Sequence, residues 1–211
     1  MTEYLILVDK NDNPIGKEEK VKCHLPNGKL HRAFTALIFD SNGKLLLTRR
    51  SSSKMLWPDY WDGTVASHPR EQETYISSAE RRMPEELGVN CKLDYLFKFE
   101  YHVPYKDVGS ENEICGTLVG LVQDSVKFNP IKEEISEYRW VSIEDLVQEL
   151  KENSRNFCPW MLIALLCLAE SKEVVHGKYG FMKEWTDESV KDVLMPAIKI
   201  HLPDDNWGIV S

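Results

Sequence analysis

The sequence predicts a mixed α/β sandwich followed by a helical C-terminal addition. Three observations carry that expectation. Short apolar runs broken by Asn-Gly and Asp-Ser-Asn-Gly turns crowd the chain before Arg50. A single charged helix, residues 73–87, sits among the strands of the first half. Helical periodicity takes over after Ile143. Strands and helices in that order bury their apolar faces against each other in layers.

Taken in order, residues 4–8 read as a strand running into the turn at 9–14. Residues 15–23 are mixed. Asn27-Gly28 is the strongest short hairpin signal in the chain and would put His24 and His31 on opposite sides of a tight loop. Residues 32–39 and 44–48 read as strands joined by a second hairpin at Asp40-Ser-Asn-Gly43. A basic loop (49–54) and an aromatic loop (57–61) follow. The helix at 73–87 closes at Gly88, and Pro84 removes a backbone donor from its last turn, which is expected to bend or loosen. Residues 91–105 supply one or two strands, 106–110 a loop, and 111–122 and 137–141 two more strands. The stretch 143–152 is an amphipathic helix and 159–170 a buried one. Residues 185–201 have helical spacing at Val190, Val193, Leu194 and Ile198, which Pro196 is expected to interrupt.

Composition narrows the function classes. A net charge of −8 disfavours nucleic acid as a partner, although a local basic pocket for a small anion stays open. The five cysteines are odd in number and form no C-x-x-C pair, so reduced thiols in a cytoplasmic protein are expected rather than a disulfide framework. The N-terminus has no basic, apolar leader. The most apolar run, residues 160–169, is too short to span a bilayer, so no membrane partner is expected.

Two groups of residues could carry chemistry. Glu85 and Glu86 each follow an arginine by four positions (Arg81 and Arg82), which for an isolated helix means solvated ion pairs. His24, His31, His68, Glu111 and Glu113 come from separate segments, with Glu111 and Glu113 on one side of a strand. Singly, each histidine is a surface or packing residue. Brought together, they would form an octahedral nitrogen and oxygen site for Mn²⁺ or Mg²⁺, less typically Zn²⁺.

Residues 67–89 resemble the Nudix signature, with Glu73, Arg81, Glu85, Glu86 and Gly88 in register. Ser67 stands where that signature has its first glycine, and Arg82 where it has a glutamate. A cation at 82 suits gripping a diphosphate better than completing a hydrolytic carboxylate cluster. Over about residues 2–165, a larger set resembles the type 1 isopentenyl diphosphate isomerase family, a branch of the Nudix fold. That set is Lys20, His24, Leu30-His31-Arg-Ala-Phe34, Thr48-Arg-Arg50, Lys54, Trp57-Pro58, Ser67-His68-Pro69, Arg81-Arg82, Glu86-Leu-Gly88, Glu111-Asn-Glu113 and Pro159-Trp160-Met161. The resemblance implies a Nudix-type α/β/α sandwich over 1–165 with a mixed sheet, and a helical extension packed on it over 166–211. It implies His24, His31, His68, Glu111 and Glu113 as ligands of Mn²⁺ or Zn²⁺. It implies Lys20, Arg50, Lys54, Ser67 and Arg82 against an isoprenoid diphosphate, and Glu86 on the Mg²⁺ that travels with it. Tyr101 and Glu113 become acid/base groups, and Trp160 covers the hydrocarbon. Singly, the four cations are solvated charges, Tyr101 a sheet aromatic and Trp160 a core residue.

These residue types suit a proton shift that passes through a tertiary carbocation. Such a pocket must exclude water, and a desolvated aromatic face stabilises a cation by roughly 2 kcal/mol or more. The family places a cysteine, on the substrate face opposite the metal-bound glutamate, where this chain has Ala66. Cys115, two residues past Glu113, would share the glutamate's face and reads as a packed thiol. Three outcomes are therefore carried: an isomerase using water or Tyr101 in the second role, a Nudix hydrolase of a prenyl or nucleoside diphosphate using Glu85 and Glu86, and a catalytically impaired isoprenoid diphosphate binder. A non-enzymatic scaffold is a fourth. A monomer or a homodimer fits equally, and substrate length depends on pocket depth behind Trp57, Trp61 and Trp160.

Overall fold

The computed structural model describes residues 2–123, 125–171 and 177–210. Its strands are β1 (Tyr4–Val8), β2 (Pro14–Glu19), β3 (His31–Phe39), β4 (Leu45–Arg50), β5 (Trp61–Asp62), β6 (Val65–Ser67), β7 (Leu93–Tyr105), β8 (Gly109–Leu121), β9 (Ile135–Val141) and β10 (Trp207–Val210). Its α-helices are α1 (Lys20–His24), α2 (Tyr75–Leu87), α3 (Ile143–Asn153), α4 (Pro159–Glu170) and α5 (Glu188–His201). The sheet runs β10-β7-β8-β3-β1-β2, with β4, β5, β6 and β9 attached beside that path. β3 and β8 are parallel, from His31 opposite Glu113 to Phe39 opposite Leu121, while β7 and β8 are antiparallel and set Tyr101 opposite Glu113.

Alternation along β3 feeds two cores. Ala33, Leu37 and Phe39 pack with the apolar residues of α3, α4 and α5, whereas Phe34, Ala36 and Ile38 pack with Ala79, Met83 and Leu87 of α2. The mixed sheet is thus sandwiched between helices, an α/β/α arrangement. α2 begins at Thr74, whose side chain accepts from the Ser77 amide while Ser77 answers in a capping box. It ends at Gly88, left-handed at φ 72°, a conformation glycine reaches without the Cβ penalty. α4 starts with proline at its first helical position and is buried from Pro159 to Ala169. No helix among the described residues is long and apolar enough to cross a membrane.

Several local expectations give way to tertiary context. Asn27-Gly28 does not make a hairpin, although Gly28 has the left-handed φ of 69° that the dipeptide favours. The preceding residues form α1 rather than a strand, and the loop docks on β8, where the Asn112 side-chain amide donates to the Gly28 carbonyl at 3.2 Å. The Asp40–Gly43 turn does form, with Asp40 Oδ1 accepting from the amides of Asn42 (2.9 Å) and Lys44 (2.8 Å). The strands it joins share only the Phe39–Leu45 pair and then part, because β4 pairs with β9 and β3 with β8. Neither internal proline ends its helix. α2 continues past Pro84 to Leu87, and α5 contains Pro196. The carbonyl that Pro196 leaves free belongs to exposed Asp192, where water can satisfy it. The break falls instead at Asp187, the N-cap of α5. Trp207–Val210 is a strand on β7, so the C-terminal part is not all helix; residues 172–176 of the expected extension lie outside the described residues.

Candidate active and metal site

Sheet register assembles the titratable cluster. Glu113 on β8 lies beside His31, the first residue of β3, and across from Tyr101 on β7. β6 pairs antiparallel with β3 at Phe34–Ser67, which delivers His68 to the same end. His24 closes α1. The three imidazole centroids are 4.8, 5.5 and 5.1 Å apart, and one ligand atom from each of His24, His31, His68 and Glu113 lies within 4.8 Å of every other. These four residues could hold a metal ion. Glu111 stands next to the group, its Oε2 at 3.0 Å from His24 Nε2.

The protonation pattern explains why the cluster fits a cation. His24 Nδ1 is 2.6 Å from the Lys20 carbonyl and His31 Nδ1 is 2.7 Å from the Lys29 carbonyl. A carbonyl only accepts, so Nδ1 is the donor in both rings, and a neutral ring then turns its Nε2 lone pair inward. Those lone pairs face carboxylates. His31 Nε2 lies 3.3 Å from Glu113 Oε1, yet both His31 Nε2 and Glu111 Oε2 are buried without a hydrogen bond of proper geometry. A divalent cation is the group that satisfies nitrogen and carboxylate lone pairs turned on one centre.

Burial disfavours a charged His24, but Glu111 outweighs it and lifts the ring's pKa to about 9. Burial first, then the neighbouring His31 ring and Lys20, push His68 well below its usual range. Burial would raise Glu113, but the adjacent His31 ring and the Tyr101 hydroxyl hold it down. The Tyr101 hydroxyl donates to Glu113 Oε2 at 2.5 Å; burial first, and that carboxylate second, drive the phenol well above its ordinary pKa. Tyr101 therefore offers a bound proton to Glu113.

Of these groups, His24, His68, Glu111, Glu113 and Tyr101 line one cavity of about 100 Å³, whose wall also includes Lys20, Arg50, Lys54, Ser67 and Arg82 together with Ala66, Cys115 and Trp160. All five residues expected against a diphosphate thus line a common space. Each cation already has a carboxylate partner: Lys20 with Glu3 (2.9 Å), Arg50 with Asp62 (3.2 Å) and Lys54 with Glu134. Arg82 reaches Glu85 (2.8 Å), Glu86 (2.6 Å) and Glu134 (3.1 Å). Glu86 is buried against Arg82 and lies outside the four-residue cluster; burial raises its pKa and Arg82 opposes the rise. Glu85 is held by Arg81 and Arg82.

Ala66 is half-buried on β6, paired with Thr35 of β3, and Cys115 is buried on the wall that carries Glu113. Burial drives the Cys115 thiol well above its ordinary pKa, which makes it a packed thiol. All five cysteines are free and buried. Trp57 packs edge-on against Trp160 at 5.3 Å and buttresses it, and the Trp61 ring carries the Arg139 guanidinium at 4.4 Å. Neither lines the cavity, so of the three tryptophans expected to set its depth only Trp160 does. The sequence reading missed Asp62, Glu134 and Glu3. Asp62 is a buried aspartate beside the aromatic loop, a signal that was available. Glu134 sits in a charged stretch and Glu3 stands alone before an apolar strand, and neither carries such a signal.

The NUDIX domain family model matches residues 29–161. An isopentenyl-diphosphate Delta-isomerase 1 from Photorhabdus laumondii is 37% identical over 188 residues, covering 88% of this chain and 94% of that protein. An isopentenyl-diphosphate Delta-isomerase from Haloarcula marismortui is 41% identical over 169 residues, covering 77% and 89%. Among solved structures, the crystal structure of DR0079 from Deinococcus radiodurans superposes with a TM-score of 0.58 at 23% identity, covering 71% of this chain and 90% of that one, a likeness of fold.

Proposed function

The chain belongs to the Nudix-domain isopentenyl-diphosphate Delta-isomerase family, and from that premise we propose that it interconverts isopentenyl and dimethylallyl diphosphate by a metal-dependent 1,3-proton shift. The observation that carries the reading is the cluster of three histidines and Glu113, which reaches one cavity through His24, His68 and Glu113 and meets Glu111, four cations, Tyr101 and Trp160 on its wall. His24, His31, His68, Glu111 and Glu113 would hold Mn²⁺ or Zn²⁺, and Glu86, paired with Arg82 through Oε1, would have to offer its other oxygen to a Mg²⁺ accompanying the diphosphate. When bound, such cations neutralise the phosphates and tune the proton affinity of the adjoining carboxylate. Lys20, Arg50, Lys54, Ser67 and Arg82 grip the diphosphate. Glu113 exchanges a proton with the allylic unit, and Tyr101 resupplies it through the 2.5 Å hydrogen bond. Trp160 covers the hydrocarbon, excludes water and turns an aromatic face to the developing cation.

The Tyr101 hydroxyl is on Glu113, so it serves the glutamate's side of the substrate. Ala66 has no proton to give, and exchange on that side passes through solvent water. Glu85 and Glu86 are committed to Arg81 and Arg82, which leaves the hydrolase alternative without a free carboxylate cluster on α2. The domain of residues 1–165 carries the site, and the described part of the extension over 166–211, α5 and β10, packs on it, in a cytoplasmic protein with reduced thiols. Incubation with isopentenyl diphosphate and Mg²⁺ or Mn²⁺ in D₂O tests the reading. Dimethylallyl product, with deuterium entering the substrate pool, is expected. Phosphate release without isomerisation would move the chain to the hydrolases, and metal-dependent binding without turnover would make it a binder.

A further inference from the structure

Asp62 is not part of the cavity wall, yet it holds two residues that are. Its carboxylate, on a residue only 3% exposed, accepts from the Trp160 indole Nε1 at 2.7 Å and from the Gly63 amide at 2.7 Å through Oδ1. Through Oδ2 it accepts from Arg50 NH1 at 3.2 Å. Arg50 is otherwise spent on the backbone, donating to the carbonyls of Trp57 and Leu56, both at 2.9 Å. The same guanidinium lies over the Trp160 ring, 5.1 Å from its centroid.

These contacts pull the indole in opposite directions. A cation over the ring draws on the π density that a carbocation in the substrate would use. An anionic acceptor on the indole N–H returns density to the ring, because N–H donation to a carboxylate leaves the nitrogen more electron-rich. Burial raises the Asp62 carboxyl, and Arg50, the Gly63 amide and the Trp160 indole oppose that rise; three donors and a permanent cation favour its charged form. We propose that Asp62 is a positioning residue for the isomerisation: it sets the orientation and electron density of the Trp160 indole facing the hydrocarbon, and ties that indole to the diphosphate-facing Arg50. This rests on the isomerase reading above. The backbone supplies a separate anchor for this part of the chain. Trp61 bridges Phe157, and the Cys158 amide donates to the Trp61 carbonyl at 2.8 Å. The start of α4 therefore stays attached when the Asp62 charge is removed.

The test is a double-mutant cycle on the full chain with isopentenyl diphosphate and Mg²⁺ plus Mn²⁺, using Asp62→Asn, Trp160→Phe and the pair. Asparagine keeps the size and one acceptor but loses the charge and turns an amide toward Arg50. A fall in kcat of about tenfold is expected for D62N, and the pair should fall no more than about twofold below W160F alone, because the aspartate acts through the indole. In a ¹⁵N spectrum, the Trp160 indole N–H, assigned by its absence in W160F, should move upfield in D62N. Independent, multiplying losses in the pair, or an unmoved indole resonance, overturn the proposal while wild-type turnover leaves the isomerase reading standing. Absence of dimethylallyl product from wild type overturns that reading, and the proposal with it.

Discussion

Replacing Glu134 with glutamine should destabilise the protein at neutral pH and much less in acid. Glu134 bridges Lys54 and Arg82, the latter at 3.1 Å. Burial alone would raise its carboxyl, but Lys54 and then Arg82 overcome that and hold it at about 2, against an ordinary 4.5. At about 1.4 kcal/mol per decade of proton affinity, that displacement bounds the stabilisation at about 3 kcal/mol. The side chain is 25% exposed, and solvent screening reduces the bound to on the order of 1–2 kcal/mol. The sign follows from the depressed value. The stabilisation is complete above pH 4.5, where an unfolded glutamate would be ionised, and is lost as pH falls through about 2. Urea unfolding of wild type and E134Q at pH 7 and pH 3, in low salt, reads the difference. A gap of about 1–2 kcal/mol at pH 7 that shrinks by roughly half at pH 3 is expected. Equal stabilities at pH 7, or a gap that does not change with pH, would refute the reasoning.

Other perturbations probe the remaining parts of the site. After chelation, Mn²⁺ at about 100 times its Kd should stabilise the protein by about 2.7 kcal/mol, a rise of roughly 5–10 °C in Tm, and His68→Gln should lose most of that rise in a thermal melt. Ala66→Cys should raise kcat for isomerisation by about 100-fold or more, in the range of a restored general acid or base. A thiol that alkylates readily in the cavity while the rate stays at wild type would show that the second acid/base position lies elsewhere. Gly109→Ala would bring a Cβ to 2.6 Å from Leu25 Cδ2 and 2.7 Å from the His24 carbonyl. It should cost about 1–3 kcal/mol in urea unfolding and weaken the Mn²⁺ response by shifting His24. Gly208→Ala, with nothing within 4 Å, serves as the silent control.

Local signals read well where the chain's own neighbours decide the structure. The end of α2 follows from Gly88, and the shared face of Glu111 and Glu113 follows from the two-residue period of β8. The assembly of the site was legible only through resemblance, because the parallel β3–β8 pairing joins His31 to Glu113 across most of the first half of the chain without a connecting turn to announce it. The Asn27-Gly28 signal failed for a related reason. A turn dipeptide reports the φ that its residues accept, which Gly28 does adopt, but not which strand its flanks will meet. Asp62 and Glu134 escaped because a carboxylate's role as counter-charge depends on which distant cation folds against it.

The cations of the cavity divide by the burial of their partners. Lys20 is paired with Glu3, whose side chain is 44% exposed, and Lys54 with Glu134 at 25%. Arg50 is paired with Asp62 at 4%, and Arg82 with Glu86 at 6%. An exposed carboxylate recovers its hydration when its cation leaves; a buried one would be stranded without either. On the proposed reading, an arriving diphosphate would therefore draw the lysines away from Glu3 and Glu134, while the arginines keep their buried partners and receive the ligand from fixed positions. Arg50 is fixed most firmly, by two backbone carbonyls and Asp62, and it is the cation stacked on Trp160. The grip on the charged end and the aromatic cover on the reacting end are thus one rigid unit built around Asp62. On the proposed reading, Ala66 lines the same cavity with nothing to exchange, so proton transfer beside it would have to come from what the pocket admits, whereas Tyr101 and Glu113 already share a hydrogen bond.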